Sequence, residues 1–144
     1  MLSLQDRYEI EELINRFAHY SDYEDYESLA QLYTPDIVTN ITGIDHPFKG
    51  IEAQIQHARE SARFTNGKNR HFYTNLFIEE LDGNHFANYY VINVNAGDQP
   101  MAPRMVVTGR MRDRVVKSAS GWRIAERRFT PDQPFQIPAE ERRA

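Results

Sequence analysis

Apolar residues at helical spacing open the chain: Ile10, Leu13, Ile14, Phe17 and Ala18 form one stripe, which predicts an amphipathic helix with that face buried. Ser3 ahead of Asp6 marks its start, since a serine hydroxyl can cap free amides and an acid in the first turn suits the helix dipole. The helix is expected to run to about Tyr20, with Ser21 and Asp22 continuing the same face just past its end. Tyr26, Leu29, Ala30 and Tyr33 predict a second helix over 26–33, capped by Asp25 and stopped before Pro35. The β-branched run Ile37 to Thr42 reads as a strand closed by Gly43. Gly50 then opens a third helix with Ile51, Ile55, Ala58 and Ala62 on one side.

Beyond the polar loop 65–70 the pattern changes from helical to strand-like. A strand over 71–81 turns at Asp82-Gly83-Asn84 into a second over 86–94, a strong hairpin signal. After a loop containing Gly97, Pro100 and Pro103, two more strands are expected over 105–116 and 122–129, joined near Ser118 to Gly121. Helices first and an antiparallel meander afterwards predict an α+β layout, with helices on one face of a curved sheet. Residues 1–130 are expected to form one domain, and 131–144, with Pro131, Pro134 and Pro138, a tail without periodicity.

Composition narrows the chemistry. A chain of 144 residues suits one core. A formal charge of -4 offers no general attraction to nucleic acid or to anionic membranes, which leaves small molecules and protein partners. The absence of cysteine excludes disulfides, thiolate nucleophiles and Cys-based metal sites, and is compatible with a cytoplasmic setting. No apolar run approaches the ~20 residues of a membrane span. The 8 Tyr and 8 Phe fall mostly in periodic segments, so they are expected in the core or around a cavity for a flat apolar ligand.

Two residues make the most specific chemical proposal. A carboxylate delivered by a helix end, Asp22, and an imidazole delivered by a strand, His71, can meet in one pocket, where the acid orients the ring and the ring moves a proton. Asp25 is better placed to cap the second helix, which frees Asp22 from that duty. Among the 5 histidines, His19 and His57 fall about 200° of helical rotation from Phe17 and Ile55, so both are expected to face solvent. His46 sits in a loop and His85 beside a turn.

Amides disfavour strand interiors, so Asn40, Asn75, Asn93 and Asn95, with Thr108, point to a polar-lined cavity or an exposed sheet face. Asn75, four residues after His71 and on its face in a regular strand, is expected to bind substrate or water, with Asn93, Tyr20 and Tyr73 as further binding candidates. Arg110, Arg112 and Arg114 read as a solvated sheet face. Arg128 shares strand parity with Trp122 and Ile124 and is expected to point inward as an anion-stabilising or binding group, an assignment a bulge would reverse. With no Gly-rich phosphate loop, dinucleotide fingerprint, zinc helix or nucleophile elbow, the residue inventory permits acid/base chemistry with no cofactor and no metal.

Several landmarks occur in a telling order: residues 10–17, Asp22 to Asp25, Leu32 to Asp36, Phe48-Lys49-Gly50, His71 to Leu76, and Gly121 to Arg128. In that order they resemble the SnoaL-like, scytalone dehydratase-like branch of the nuclear transport factor two-like superfamily. The resemblance implies a cone-shaped α+β barrel on a strongly bent, mainly antiparallel sheet, a homodimer or homotrimer, and an open end that holds a small hydrophobic molecule. It also implies that an Asp after the first helix pairs with a strand His that removes a substrate proton, roles that fall on Asp22 and His71. The chain departs from the dehydratase pattern at Ser21 and Ile41, where tyrosines would polarise a carbonyl, and at Asn93 and Asn95, near the expected second pocket histidine.

The expected function is therefore a cofactor-independent lyase, with elimination of water as the default. Isomerisation or cyclisation by the same dyad, or a noncatalytic assembly role like that of ring-hydroxylating dioxygenase β subunits, are the alternatives.

Overall fold

A computed structural model describes residues 1–134. Helix α1 spans Leu4–Asp22 and starts at the Ser3 cap read from the sequence, with Asp6 closing a reciprocal capping box. The Ser3 hydroxyl accepts from the Asp6 amide at 3.0 Å, while the Ser3 amide donates to Asp6 Oδ2 at 3.1 Å. Asp6 also accepts from Lys117 Nζ at 2.9 Å and from the Trp122 indole at 3.1 Å, which ties the helix start to the far hairpin. Chiefly through Lys117, these donors hold the Asp6 carboxyl well below the usual carboxylate range.

Helix α1 runs two residues further than expected, so Asp22 is its last residue and not the first beyond it. Nothing stops it until Glu24, whose φ of 60° leaves the helical region. Helix α2 is shorter than its apolar pattern: it covers Tyr26–Ala30, with the Asp25 side chain accepting from the Ser28 amide at 3.2 Å. Backbone pairing overrides propensity there, because Leu32 C=O accepts from Ile124 N–H at 2.8 Å and Tyr33 already pairs with Ile124 in the sheet. Strand β1 accordingly covers Tyr33–Ile41. A two-residue strand, β2 (Phe48–Lys49), precedes α3 (Ile51–Phe64) and is too short to leave a periodic signal.

The remaining strands are β3 (Asn69–Leu81), β4 (Asn84–Asn95), β5 (Arg104–Ser118) and β6 (Gly121–Pro131). They form one sheet in the order β2-β1-β6-β5-β4-β3, with β1 parallel to β6 and every other pair antiparallel. The expected tail thus begins inside β6, and its residues 135–144 lie outside the described residues.

This is the expected α+β architecture, with the sheet strongly curved and not closed. The ring of Phe17 on α1 shows the curvature. It lies 6.1 Å from Tyr33 on β1 and 6.4 Å from Tyr73 on β3, strands that would stand about 19 Å apart in a flat sheet. Ile10, Leu13, Ile14 and Phe17 bury the inner face of α1 against Tyr89, Val91, Val115, Ile124 and Phe129 of the sheet. The apolar residues Ile41, Ile51, Ile55, Ala58, Val107 and Met111 pack against this core and are only partly buried.

Candidate active site

The last residue of α1 meets the third residue of β3. Asp22 Oδ1 lies 2.5 Å from His71 Nδ1, and Asp22 Oδ2 accepts from the His71 backbone amide at 2.9 Å. One carboxylate therefore holds both the ring and the main chain of the same residue, which fixes ring orientation more firmly than a single bond. Its side chain is 7% exposed and that of His71 18%. With Nδ1–H donating to Asp22, Nε2 keeps its lone pair and can take a proton.

His71 belongs to an aromatic layer. Its ring stands edge-on to Phe17 at 6.5 Å and tilted against Tyr73 at 5.8 Å, and Tyr73 in turn packs 4.8 Å from Tyr89. Behind this layer lies a buried charge cluster. Arg127 Nε donates to Asp113 Oδ1 at 2.9 Å, Arg127 Nη2 donates to the Tyr89 hydroxyl at 2.8 Å, and that hydroxyl donates to Asp113 Oδ2 at 2.5 Å. The guanidinium also sits 3.7 Å over the Phe17 ring. Burial works against the Arg127 charge, but Asp113 and the surrounding tyrosines outweigh it and its pKa is raised. Burial pushes the Tyr33 hydroxyl up to about 12 and the Tyr73 and Tyr89 hydroxyls upward as well, so all three stay protonated at neutral pH.

Among the described residues, two buried polar atoms beside the dyad make no hydrogen bond: the Tyr73 hydroxyl, which lies near enough to Arg127 to feel its charge, and Asn93 Oδ1. Asn93 is the cross-strand partner of His71 and so lies on the same sheet face. Tyr73 follows His71 by two residues, again on that face. Unpaired buried polar groups are costly, and groups awaiting a ligand are one reason for them.

The other expected binding residues are placed differently. Asn75 is exposed, with φ 58°, because residues 75 and 76 together oppose one residue of β4 in a bulge. The bulge takes Asn75 off the face of His71 and gives that direction to Leu76. Tyr20 is partly buried at the edge of the core, close enough to Arg16 to influence its charge. Arg128 is exposed and Arg127 is the inward arginine. The cause is again a bulge: Val115 pairs with Ile124 but Arg114 pairs with Glu126, so Ala125 is an extra residue that reverses the parity of the rest of β6.

His57 also departs from expectation. Gln54, only 5% exposed, bonds Thr39 Oγ1 at 2.6 Å and Phe48 C=O at 2.9 Å, so a polar residue joins Ile51, Ile55 and Ala58 on the inward side of α3. His57, one turn on, is partly buried and packs 4.5 Å from the Phe48 ring instead of facing solvent. Sequence reasoning missed Arg127, Asp113, Tyr89 and His57. The signals available were the adjacent apolar pair Ile124-Ala125, which hints at a bulge, and the shared parity of Met111, Asp113 and Val115.

Two surface clefts do not include the dyad itself. One, of about 280 Å³ between α1 and β3, is bordered by Glu11, Asn15, Asn75 and Leu76 and reaches Tyr73 and Tyr89 of the aromatic layer. The other, of about 470 Å³, is bordered by Glu24, Arg59, Arg63 and Asn66. Neither contains a comparable acid–imidazole pair, so chemistry and not hollow size identifies the candidate site. Among the described residues no group of three or more His, Asp or Glu is arranged to hold a metal, and no helix is long and apolar enough to cross a membrane.

The fold has many solved counterparts. A Nostoc punctiforme protein of unknown function with a cystatin-like fold superposes with a TM-score of 0.80 at 23% identity, covering 95% of this chain and 97% of that one. ActVI-ORFA from Streptomyces coelicolor gives 0.77 at 18% identity, with 88% and 96% covered. A Catenulispora acidiphila protein in complex with S-DNPA gives 0.72 at 28% identity, with 88% and 92% covered. A search of curated proteins finds no match. Residues 2–128 match the SnoaL-like domain along nearly the whole described chain, and the protein belongs to that family.

Proposed function

We propose that the protein is a cofactor-independent lyase that eliminates water from a small, largely apolar, aromatic or cyclic substrate. The observation that carries this reading is the two-point grip of Asp22 on His71. His71 Nε2 takes a proton from a carbon next to a carbonyl. Asp22 stabilises the imidazolium, the electron pair moves into the carbonyl, and on its return expels a β-hydroxyl, which leaves as water with the proton from His71. Tyr73 and Asn93 contribute the unpaired hydroxyl and amide oxygen that bind the substrate's polar groups. Partly buried apolar side chains around the core, such as Ile55, Val107 and Met111, suit its hydrophobic body. The S-DNPA complex of the Catenulispora acidiphila neighbour supports a small-molecule occupant. Returning the proton to another carbon makes the same dyad an isomerase, and internal carbanion attack makes it a cyclase. A purely structural assembly role leaves the unpaired Tyr73 and Asn93 atoms without a purpose.

The working assembly is a homodimer or homotrimer within the cytoplasm. Phe72, Phe77 and Tyr90, exposed on the outer sheet face, support self-association, which light scattering after size-exclusion chromatography measures.

The test begins with native mass spectrometry of the purified protein to identify a retained ligand, followed by turnover assays on its hydrated precursor. His71→Ala is expected to lower kcat by about a hundredfold to ten-thousandfold, and Asp22→Asn to lower it severely with the fold retained. Full turnover in both variants rejects the mechanism.

A further inference from the structure

We infer that His57 is a second imidazole of this pocket, donating a hydrogen bond to the substrate oxygen that gains negative charge when His71 removes the proton; this rests on the proton-transfer reading above. Helix α3 begins beside β2 at one edge of the sheet and is followed by β3 at the other edge, so its inward side spans the concavity. His57 stands near the middle of that span. It packs on Phe48 of β2, and Arg127 on β6 and, once protonated, His71 on β3 act on its charge. In a flat sheet the two edges would be about 24 Å apart, so only the curved interior brings the three together.

The two imidazoles are held differently. His71 has Asp22 on Nδ1, whereas among the described residues neither ring nitrogen of His57 has a hydrogen-bond partner. Of the charged groups acting on it, only Glu60 on its own helix favours protonation. Burial disfavours it most, and Arg127 and His71 add to that. A neutral imidazole offers one N–H donor and one bare nitrogen, so His57 can meet an enolate oxygen without competing for the proton. The carbon–hydrogen electron pair moves to that oxygen while the proton goes to His71, and no other reactant is consumed. The substrate class is thereby a carbonyl compound whose oxygen lies towards α3 and whose acidic carbon lies towards β3.

A phenol whose ionised form absorbs separately, 4-nitrophenol, reports both halves of this arrangement, since its ionisation places a proton on a base and a charge on an oxygen. Full-length protein is titrated at a pH where the free probe is protonated, while the histidine ring nitrogens are followed by ¹⁵N NMR. The wild type is expected to bind the probe with growth of the phenolate band and a shift of the His57 ring signals. His57→Leu is expected to weaken binding by about tenfold to a hundredfold, and His57→Gln, which keeps a donor, to stay within about threefold of wild type. An unchanged Asp22-bonded His71 signal in both variants confirms that they fold. Unaltered affinity in His57→Leu, a stationary His57 signal, or no binding by wild type at millimolar probe overturns the inference. His71→Ala separates it from the dyad: a phenolate band lost only in that variant retains the dyad and rejects His57, and a band lost in neither rejects both.

Discussion

Asp113 is the most deeply buried charge among the described residues, at 0% exposure, and it is tolerable only because Arg127 and Tyr89 satisfy both of its oxygens. Breaking such a pair from one side leaves the other charge stranded. Asp113→Asn is expected to lower unfolding free energy by about 3–5 kcal/mol in urea titrations, while the paired replacement Asp113→Leu with Arg127→Met costs less than the single variant. Residue-scale chemistry was only half legible. Asp22 and His71 stood out by residue type and position, and the structure brings them together. Asp113 sat hidden among alternating arginines, and Arg127 was displaced from its true facing by one extra residue, Ala125.

Elements were more legible than side-chain directions, because periodicity survives where register does not. The Ser3 cap of α1 and the Asp25 cap of α2 followed from local chemistry alone, and both are present. Removing the hydroxyl in Ser3→Ala is expected to destabilise the fold by about 1 kcal/mol, read as a lower Tm with unchanged far-ultraviolet circular dichroism. Bulges are a different matter, since a strand with one more residue keeps its composition and loses its parity. Asn75 shows how the chain accommodates one, with an amide residue at positive φ where a β-branched side chain is strained. Asn75→Val is accordingly expected to cost about 1–3 kcal/mol by denaturant titration, and Asn75→Gly close to nothing. On α3 the apolar stripe of Ile51, Ile55 and Ala58 does pack on the core, but the polar residues beside it were unreadable: a buried glutamine bonded to Thr39 and Phe48 widens the inward side to take in His57.

Across the whole molecule, curvature gathers residues from α1, α3, β3 and β6 that lie far apart in sequence, and no local pattern encodes that convergence. It has a consequence for pH. His57 titrates below the 6.5 of a free imidazole, mainly because it is buried, so the unfolded chain binds the proton more tightly than the native one. The stability it contributes is complete above pH 6.5 and is lost as pH falls through its folded pKa; His57→Gln is expected to flatten the decline of Tm across that acidic window. The grip of Asp22 on His71 has a second meaning at this scale. Strand β3 is an outer edge of the sheet, and the amide that Asp22 takes up is one a seventh strand would otherwise claim. The carboxylate thus acts as a stopper against strand addition. Asp22→Ala is expected to self-associate through β3 more readily than Asp22→Asn, whose amide oxygen can still accept that bond, so the residue that grips His71 also guards the protein against polymerising along its own border.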